Sequence, residues 1–175
     1  MEDKYSISSE DVLLLLGMQH GFLNEYTEFA IRNLIALFEK YHFTKVISAK
    51  FSNYMGSLFC NELEYYKMLS KDDQEFIPEV KPYMTNSIVL HDGYGCDMRV
   101  LLAQLRIIND GILPKRVLIA GFDTEACVLV MATQLFDNRI VPCILKDCVA
   151  SSQGIKNHEC ALQIMQTLFG QKNLL

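Results

Sequence analysis

Apolar positions along this chain fall into two rhythms, short continuous runs and longer stretches that repeat every three or four residues. Val12 to Leu16 is a continuous apolar run, as expected for a strand buried on both faces. From about Glu25 to Tyr41 the pattern turns helical, with Phe29, Leu34, Leu37 and Phe38 forming the apolar stripe. Lys45 to Lys50 reads as a second strand. Phe51 to Tyr83 is less regular; it predicts a short helix near Asn61 to Leu69 and an acidic loop ending at Pro82. Ser87 to His91 reads as a third strand. Asp97 is placed to cap a helix whose apolar face is Met98, Leu101, Leu102, Leu105 and Ile108. Gly111 and Pro114 end it.

Arg116 to Ala120 follows as a fourth strand. Gly121-Phe-Asp-Thr is a turn, and Thr124 is the expected cap of a helix reaching about Phe136. Ile140 to Leu145 reads as a fifth strand, and a last helix runs from about Ile155 to Phe169 and stops at Gly170. Strands and helices alternating at this spacing predict a three-layer α/β/α fold with a central parallel sheet. Ligands in such sheets bind outside the carboxyl ends of the strands. That selects the turns Gly17 to Phe22, Phe51 to Gly56, His91 to Cys96 and Gly121 to Cys127.

The totals agree with this picture. The 175 residues suit a single domain over 1–175, half of them hydrophobic and 21% charged. The net charge of −5 is dispersed, so no basic footprint invites nucleic acid. Met1-Glu2-Asp3-Lys4-Tyr5 does not read as a signal peptide, and the longest apolar run is far too short to cross a bilayer. The six cysteines, at 60, 96, 127, 143, 148 and 160, form no CxxC pair and read as reduced thiols. A cytoplasmic location is expected. Cys143, Cys148 and Cys160 read as core, and His20 and His42 as surface or packing residues.

Any reactive centre is expected around Cys127, which could otherwise be a small core residue. At a helix start, unpaired N–H groups and the helix dipole favour the thiolate and can hold an oxyanion. Around it, Gly121-Phe-Asp-Thr-Glu-Ala-Cys-Val128 resembles the G-x-x-T-[DE]-x-C-V segment of the isochorismatase-like cysteine hydrolases, which include nicotinamidases, N-carbamoylsarcosine amidases and isochorismatases. Gln19 and Phe22 match the family's D-x-Q-x-x-F turn. Asp147-Cys-Val-Ala-Ser-Ser152 with His158 is similar to its D-x-x-A-S segment and downstream histidine. Ser48 to Asn53 with Gly56-Ser57 resembles the second-strand turn of a small bacterial subgroup.

The resemblance implies the Rossmann-like fold of that family and a Cys–Asp–Lys triad. It also implies a cis peptide at Phe122–Asp123, with the backbone around Phe122, Asp123 and Ala126 facing the oxyanion. Gly17 stands where the family has its aspartate, and His91 where it has its lysine. His91 is either a base for the thiol or a tolerated residue in a silent site. Asp92 and Asp123 are further acidic candidates, and Cys96 is a conceivable redox partner for Cys127. Gly17, Gln19, Phe22, Phe51 and Tyr94 are the expected pocket residues. The second-strand turn lacks the histidine of the nicotinamidase metal site, so neither metal nor other cofactor is expected.

The leading expectation is a cysteine hydrolase of a small amide or related C–N substrate, with reduced or altered activity. The alternative is a silent relative that binds a metabolite or protein partner in the same cleft. A nucleotide-binding flavodoxin-like module is weaker, because no glycine-rich phosphate loop follows Leu16. A homo-oligomer, dimer or tetramer, is expected, with Tyr65, Tyr66 and Phe76 as exposed contact aromatics.

Overall fold

A computed structural model describes residues 6–175. Its sheet has five strands in the order β3-β2-β1-β4-β5: β1 (Val12–Leu16), β2 (Val46–Phe51), β3 (Ile88–His91), β4 (Arg116–Gly121) and β5 (Val141–Val149). Every neighbouring pair is parallel. The helices are α1 (Glu28–Tyr41), α2 (Leu58–Leu63), α3 (Lys71–Gln74), α4 (Met98–Ile108), α5 (Leu129–Asp137) and α6 (Ile155–Phe169).

The unbroken apolar run of β1 has a direct cause. Successive side chains point to opposite faces, and both faces are covered. Val12, Leu14 and Leu16 join the core under α4, α5 and α6, with Leu101, Leu105, Met131, Leu135 and Met165. Leu13 and Leu15 join the core under α1, with Ala30, Ile31, Leu34 and Phe38. The three layers expected from the pattern are therefore present. Among the described residues no helix is long and apolar enough to cross a membrane.

Several boundaries move. Helix α1 begins at Glu28 rather than near Glu25, because residues 24–27 close their own turn, with Thr27 Oγ1 accepting from the Asn24 N–H at 2.9 Å. The irregular segment holds two short α-helices, α2 and α3, instead of one near 61–69. Each is capped by a serine: Ser57 Oγ accepts from the Cys60 N–H and Ser70 Oγ from the Asp73 N–H. Strand β5 continues to Val149, four residues past Leu145, because its end pairs with Gly121. Asp97 caps α4 as expected, its Oδ1 accepting from the Arg99 N–H at 2.9 Å.

Strand order reverses at β1, so the crevice lies between the ends of β1 and β4. The two strands approach closely there, and the Phe122 N–H donates to the Leu16 carbonyl at 2.9 Å. At Gly121 a Cβ would lie 1.9 Å from the Leu16 carbonyl oxygen, so no other residue fits.

Candidate active site

The turn after β4 builds one wall of the site. The Phe122–Asp123 peptide is cis, as the resemblance implied. Residues Thr124–Val128 then form a single π-helical turn, closed by the Val128 N–H on the Asp123 carbonyl at 3.1 Å, before α5 begins. Cys127 lies in this turn rather than within α5. Thr124 is not the cap; its hydroxyl pairs with His158 Nδ1 at 2.8 Å, which ties the turn to α6. The Ala126 N–H donates to the Asp123 carbonyl at 3.1 Å, inside the turn.

A cavity of about 460 Å³ opens beside this turn. Asp123, Glu125, Ala126, Cys127, Val130 and Gln153 line it, together with Phe22, Phe51, Phe59, Leu63, Tyr65 and Tyr94. Of the expected pocket residues, Phe22, Phe51 and Tyr94 line it. Gly17 and Gln19 do not. Gly17 adopts φ +57, and a Cβ there would lie 3.0 Å from both the Phe22 ring and the Phe122 carbonyl oxygen. Gln19 is fully buried and spent on backbone: its amide donates to the carbonyls of Phe51 and Gln74, and its oxygen accepts from the Phe51 N–H.

His91 is buried at the end of β3, in register with Phe51, and its ring lies 5.5 Å from that ring. The cavity wall contains Phe51 but not His91. Nδ1 donates to the Gly93 carbonyl at 2.8 Å, and burial lowers the ring's pKa. The neutral ring therefore carries its proton on Nδ1 and an acceptor lone pair on Nε2, which is buried without a hydrogen-bond partner. Asp92 is exposed. Cys96 is held away from the cavity wall by Gln134 of α5, which accepts from its N–H and donates to its carbonyl.

The electrostatics of Cys127 reverse the expectation from its position. Cys127 is 7% exposed, and the pKa of its thiol is pushed up to about 12, first by burial and then by the nearby Asp123 charge. Its own backbone N–H opposes the shift, and Glu125 adds to it. Desolvation and two carboxyls outweigh the helix-start effect. Asp123 is itself buried and pushed up to about 6 by desolvation, against two hydrogen bonds from Ser152.

Sequence reasoning missed Phe59, Leu63, Tyr65, Glu125, Val130 and Gln153. The aromatic residues come from the irregular segment, which carries no periodicity to orient them. Tyr65, expected on the surface, is half-buried with its hydroxyl enclosed and unpartnered, and Phe76 is buried; Tyr66 alone of that set is exposed. All six cysteines are free, but Cys160 is exposed on α6 rather than core.

Comparison with known proteins agrees with this fold. The isochorismatase domain family matches residues 11–172, and the chain belongs to that family. It is thus a relative of the isochorismatase-like hydrolases. An isochorismatase-like hydrolase from Alkaliphilus metalliredigens superposes with a TM-score of 0.72 at 20% identity, covering 91% of each chain. PnC1 from L. infantum, in complex with nicotinate, gives 0.71 at 14% identity over 93% of this chain and 91% of that one. A pyrazinamidase of Pyrococcus horikoshii in complex with zinc gives 0.68 at 19% identity over 91% and 96%. No curated protein matches the sequence.

The residues here do not fit a zinc ion. In the turn after β2, the Asn53 amide donates to the carbonyls of Tyr65 and Lys67 while its oxygen accepts from the Ser57 hydroxyl. Among the described residues no group of three or more His, Cys, Asp or Glu side chains is placed to hold a metal.

Proposed function

We propose that the chain is a slow cysteine hydrolase of a small amide or related C–N substrate, with Cys127 as nucleophile and Asp123 as its proton acceptor. The observation that carries this reading is that the two residues line the same cavity, near enough for the Asp123 charge to act on the thiol. A carboxyl with a pKa near 6 is suited to accept and return a proton near neutral pH. In the proposed cycle the Cys127 proton passes to Asp123 as sulfur attacks the carbonyl carbon. The C–N bond breaks, and the leaving nitrogen takes the proton from Asp123. Water, deprotonated by the same carboxylate, then hydrolyses the thioester and frees the thiol. The raised thiol pKa makes the first transfer strongly uphill, so turnover is slow.

A second reading, a silent relative that binds a metabolite or protein partner in the same cleft, is favoured by that same raised thiol. One experiment separates the two. Incubation with a panel of small aromatic and aliphatic amides, followed by mass spectrometry of the intact protein, should reveal an acyl-enzyme and released ammonia or amine in the native chain. Neither should appear with Cys127→Ala. Equal background in both proteins supports the silent relative.

The same reading takes residues 1–175 as one domain, a cytoplasmic homo-oligomer with a small-molecule ligand and no nucleic-acid partner. Tyr54, Met55, Leu58 and Tyr66 are large exposed apolar side chains near the cleft segment that suit a subunit contact. Light scattering at micromolar concentration should return a mass above that of one chain.

A further inference from the structure

The cavity walls combine two chemistries that favour the same kind of guest. Phe51, Phe59, Tyr65 and Tyr94 present aromatic rings, and Asp123 and Glu125 present carboxyls. The residues lining it include no lysine, arginine or histidine. Phe59 meets Phe51 at 73° and Tyr94 at 71°, with ring centres 5.2 and 5.0 Å apart. Both pairs meet edge to face rather than stacked.

Two oxygens at the site are also left without partners. Glu125 Oε1 accepts from the Ser151 hydroxyl at 2.7 Å, but Oε2 is buried and unpaired. The Tyr65 hydroxyl is in the same condition. Both are enclosed by protein, and a buried acceptor left unpaired is costly. Lys67, which acts on Asp123 through space, is exposed and outside the wall, so water screens its charge.

We infer that this cavity takes an organic cation, an ammonium or amidinium group on a compact apolar body, in preference to a neutral or anionic molecule of the same shape. The inference rests on the cavity being the substrate site proposed above. Aromatic rings attract a desolvated cation, and the two carboxyls neutralise it. An anion would meet both carboxyls with no positive side chain on the wall to offset them. A bound cation would also favour the ionised forms of Asp123 and Cys127, supplying a positive charge that the wall itself lacks.

Benzamidine, benzamide and benzoate test this directly, because they share a ring and differ in charge. Titration calorimetry on Cys127→Ala removes any turnover from the readout. Benzamidine should bind at least about tenfold more tightly than benzamide, and benzoate most weakly. Glu125→Gln keeps an acceptor for Ser151 and should cut the preference several-fold. Asp123→Asn provides a second, independent loss of charge.

The inference is overturned if benzamide or benzoate binds as tightly as benzamidine, if benzamidine does not bind at millimolar concentration, or if both carboxyl variants keep the full preference. Failure here is distinguishable from failure of the hydrolase reading. Amide turnover by the native chain without cation preference removes this inference alone. Cation preference without turnover removes hydrolysis alone.

Discussion

Ser152 holds both carboxylate oxygens of Asp123: its N–H donates to Oδ1 at 2.6 Å and its hydroxyl to Oδ2 at 2.8 Å. These bonds fasten the loop after β5 to the turn that carries Cys127. They also favour the ionised carboxyl against the burial that raises its pKa. Ser152→Ala removes the hydroxyl bond, so the Asp123 titration midpoint should move above about 6, with a stability loss of about 1 kcal/mol. Carbon-detected NMR titration of the Asp123 carboxyl checks the first, and urea unfolding the second. A midpoint unchanged or lowered would show that the hydroxyl does not support the charge.

Asp123 should also leave a signature in the pH dependence of stability. Its folded pKa, about 6, lies above the unfolded value of 3.8. Between those values the folded chain binds more protons than the unfolded chain. Its stabilising contribution is therefore full below about pH 4 and is lost as pH rises through about 6. The size is roughly 3 kcal/mol. Urea unfolding at several pH values should show that decline in the native chain and a flatter profile in Asp123→Asn. An equal decline in both would assign it to another group.

Cys127 should be slow to alkylate at neutral pH, because a thiol raised to about 12 holds little thiolate there. Cys160, exposed on α6, should label first. Peptide mapping after brief iodoacetamide treatment distinguishes them, and the Cys127 rate should climb about tenfold per pH unit on the alkaline side. Labelling of Cys127 ahead of Cys160 at neutral pH would mean that the buried thiol is more ionised than its surroundings dictate.

The sheet was legible in the sequence because burial on both faces writes an unbroken apolar run into β1 and a clear stripe into α1 and α4. The turn around Cys127 was legible because its residue types, taken in order, resemble a known family segment. The pKa of Cys127 was not, since depth of burial and the approach of Asp123 are tertiary facts. Gln19 and His91 illustrate the same limit. Both lie at the carboxyl ends of strands, yet hydrogen bonding turns one into a backbone brace and strand register sets the other next to Phe51, off the cavity wall. Phe59 and Tyr65 fall in a segment without periodicity, so nothing local pointed them toward the cleft.

Gly17 cannot simply be returned to the family's aspartate. Its φ of +57 disfavours any side chain, and a Cβ would press on the Phe22 ring and the Phe122 carbonyl oxygen, each at 3.0 Å. Gly17→Ala should lose about 1–2 kcal/mol from backbone conformation alone. Gly17→Asp should lose at least as much and gain no amidase activity, even combined with His91→Lys. A stable Gly17→Asp variant with raised hydrolysis would show that Phe22 moves aside to admit a base.

Gln19 offers the sharpest test of how the cleft wall is held. Its amide donates to the carbonyls of Phe51 at 2.8 Å and Gln74 at 3.0 Å, and its oxygen accepts from the Phe51 N–H at 2.8 Å. Phe51 in turn packs its ring against Phe22, Phe59 and His91. Gln19→Leu keeps the volume but leaves three backbone groups unpaired, and should cost about 2–5 kcal/mol. Gln19→Glu keeps the acceptor for the Phe51 N–H. It can donate to a carbonyl only when protonated, so its folded pKa should rise above the unfolded value. The stability it recovers is present at low pH and lost as pH rises through that raised pKa. Thermal unfolding should therefore show Gln19→Glu closer to the native chain near pH 5 than near pH 7, with Gln19→Leu well below it at both. A Gln19→Leu chain that melts with the native one would mean that water replaces the bridge and that Phe51 is held by its ring contacts alone.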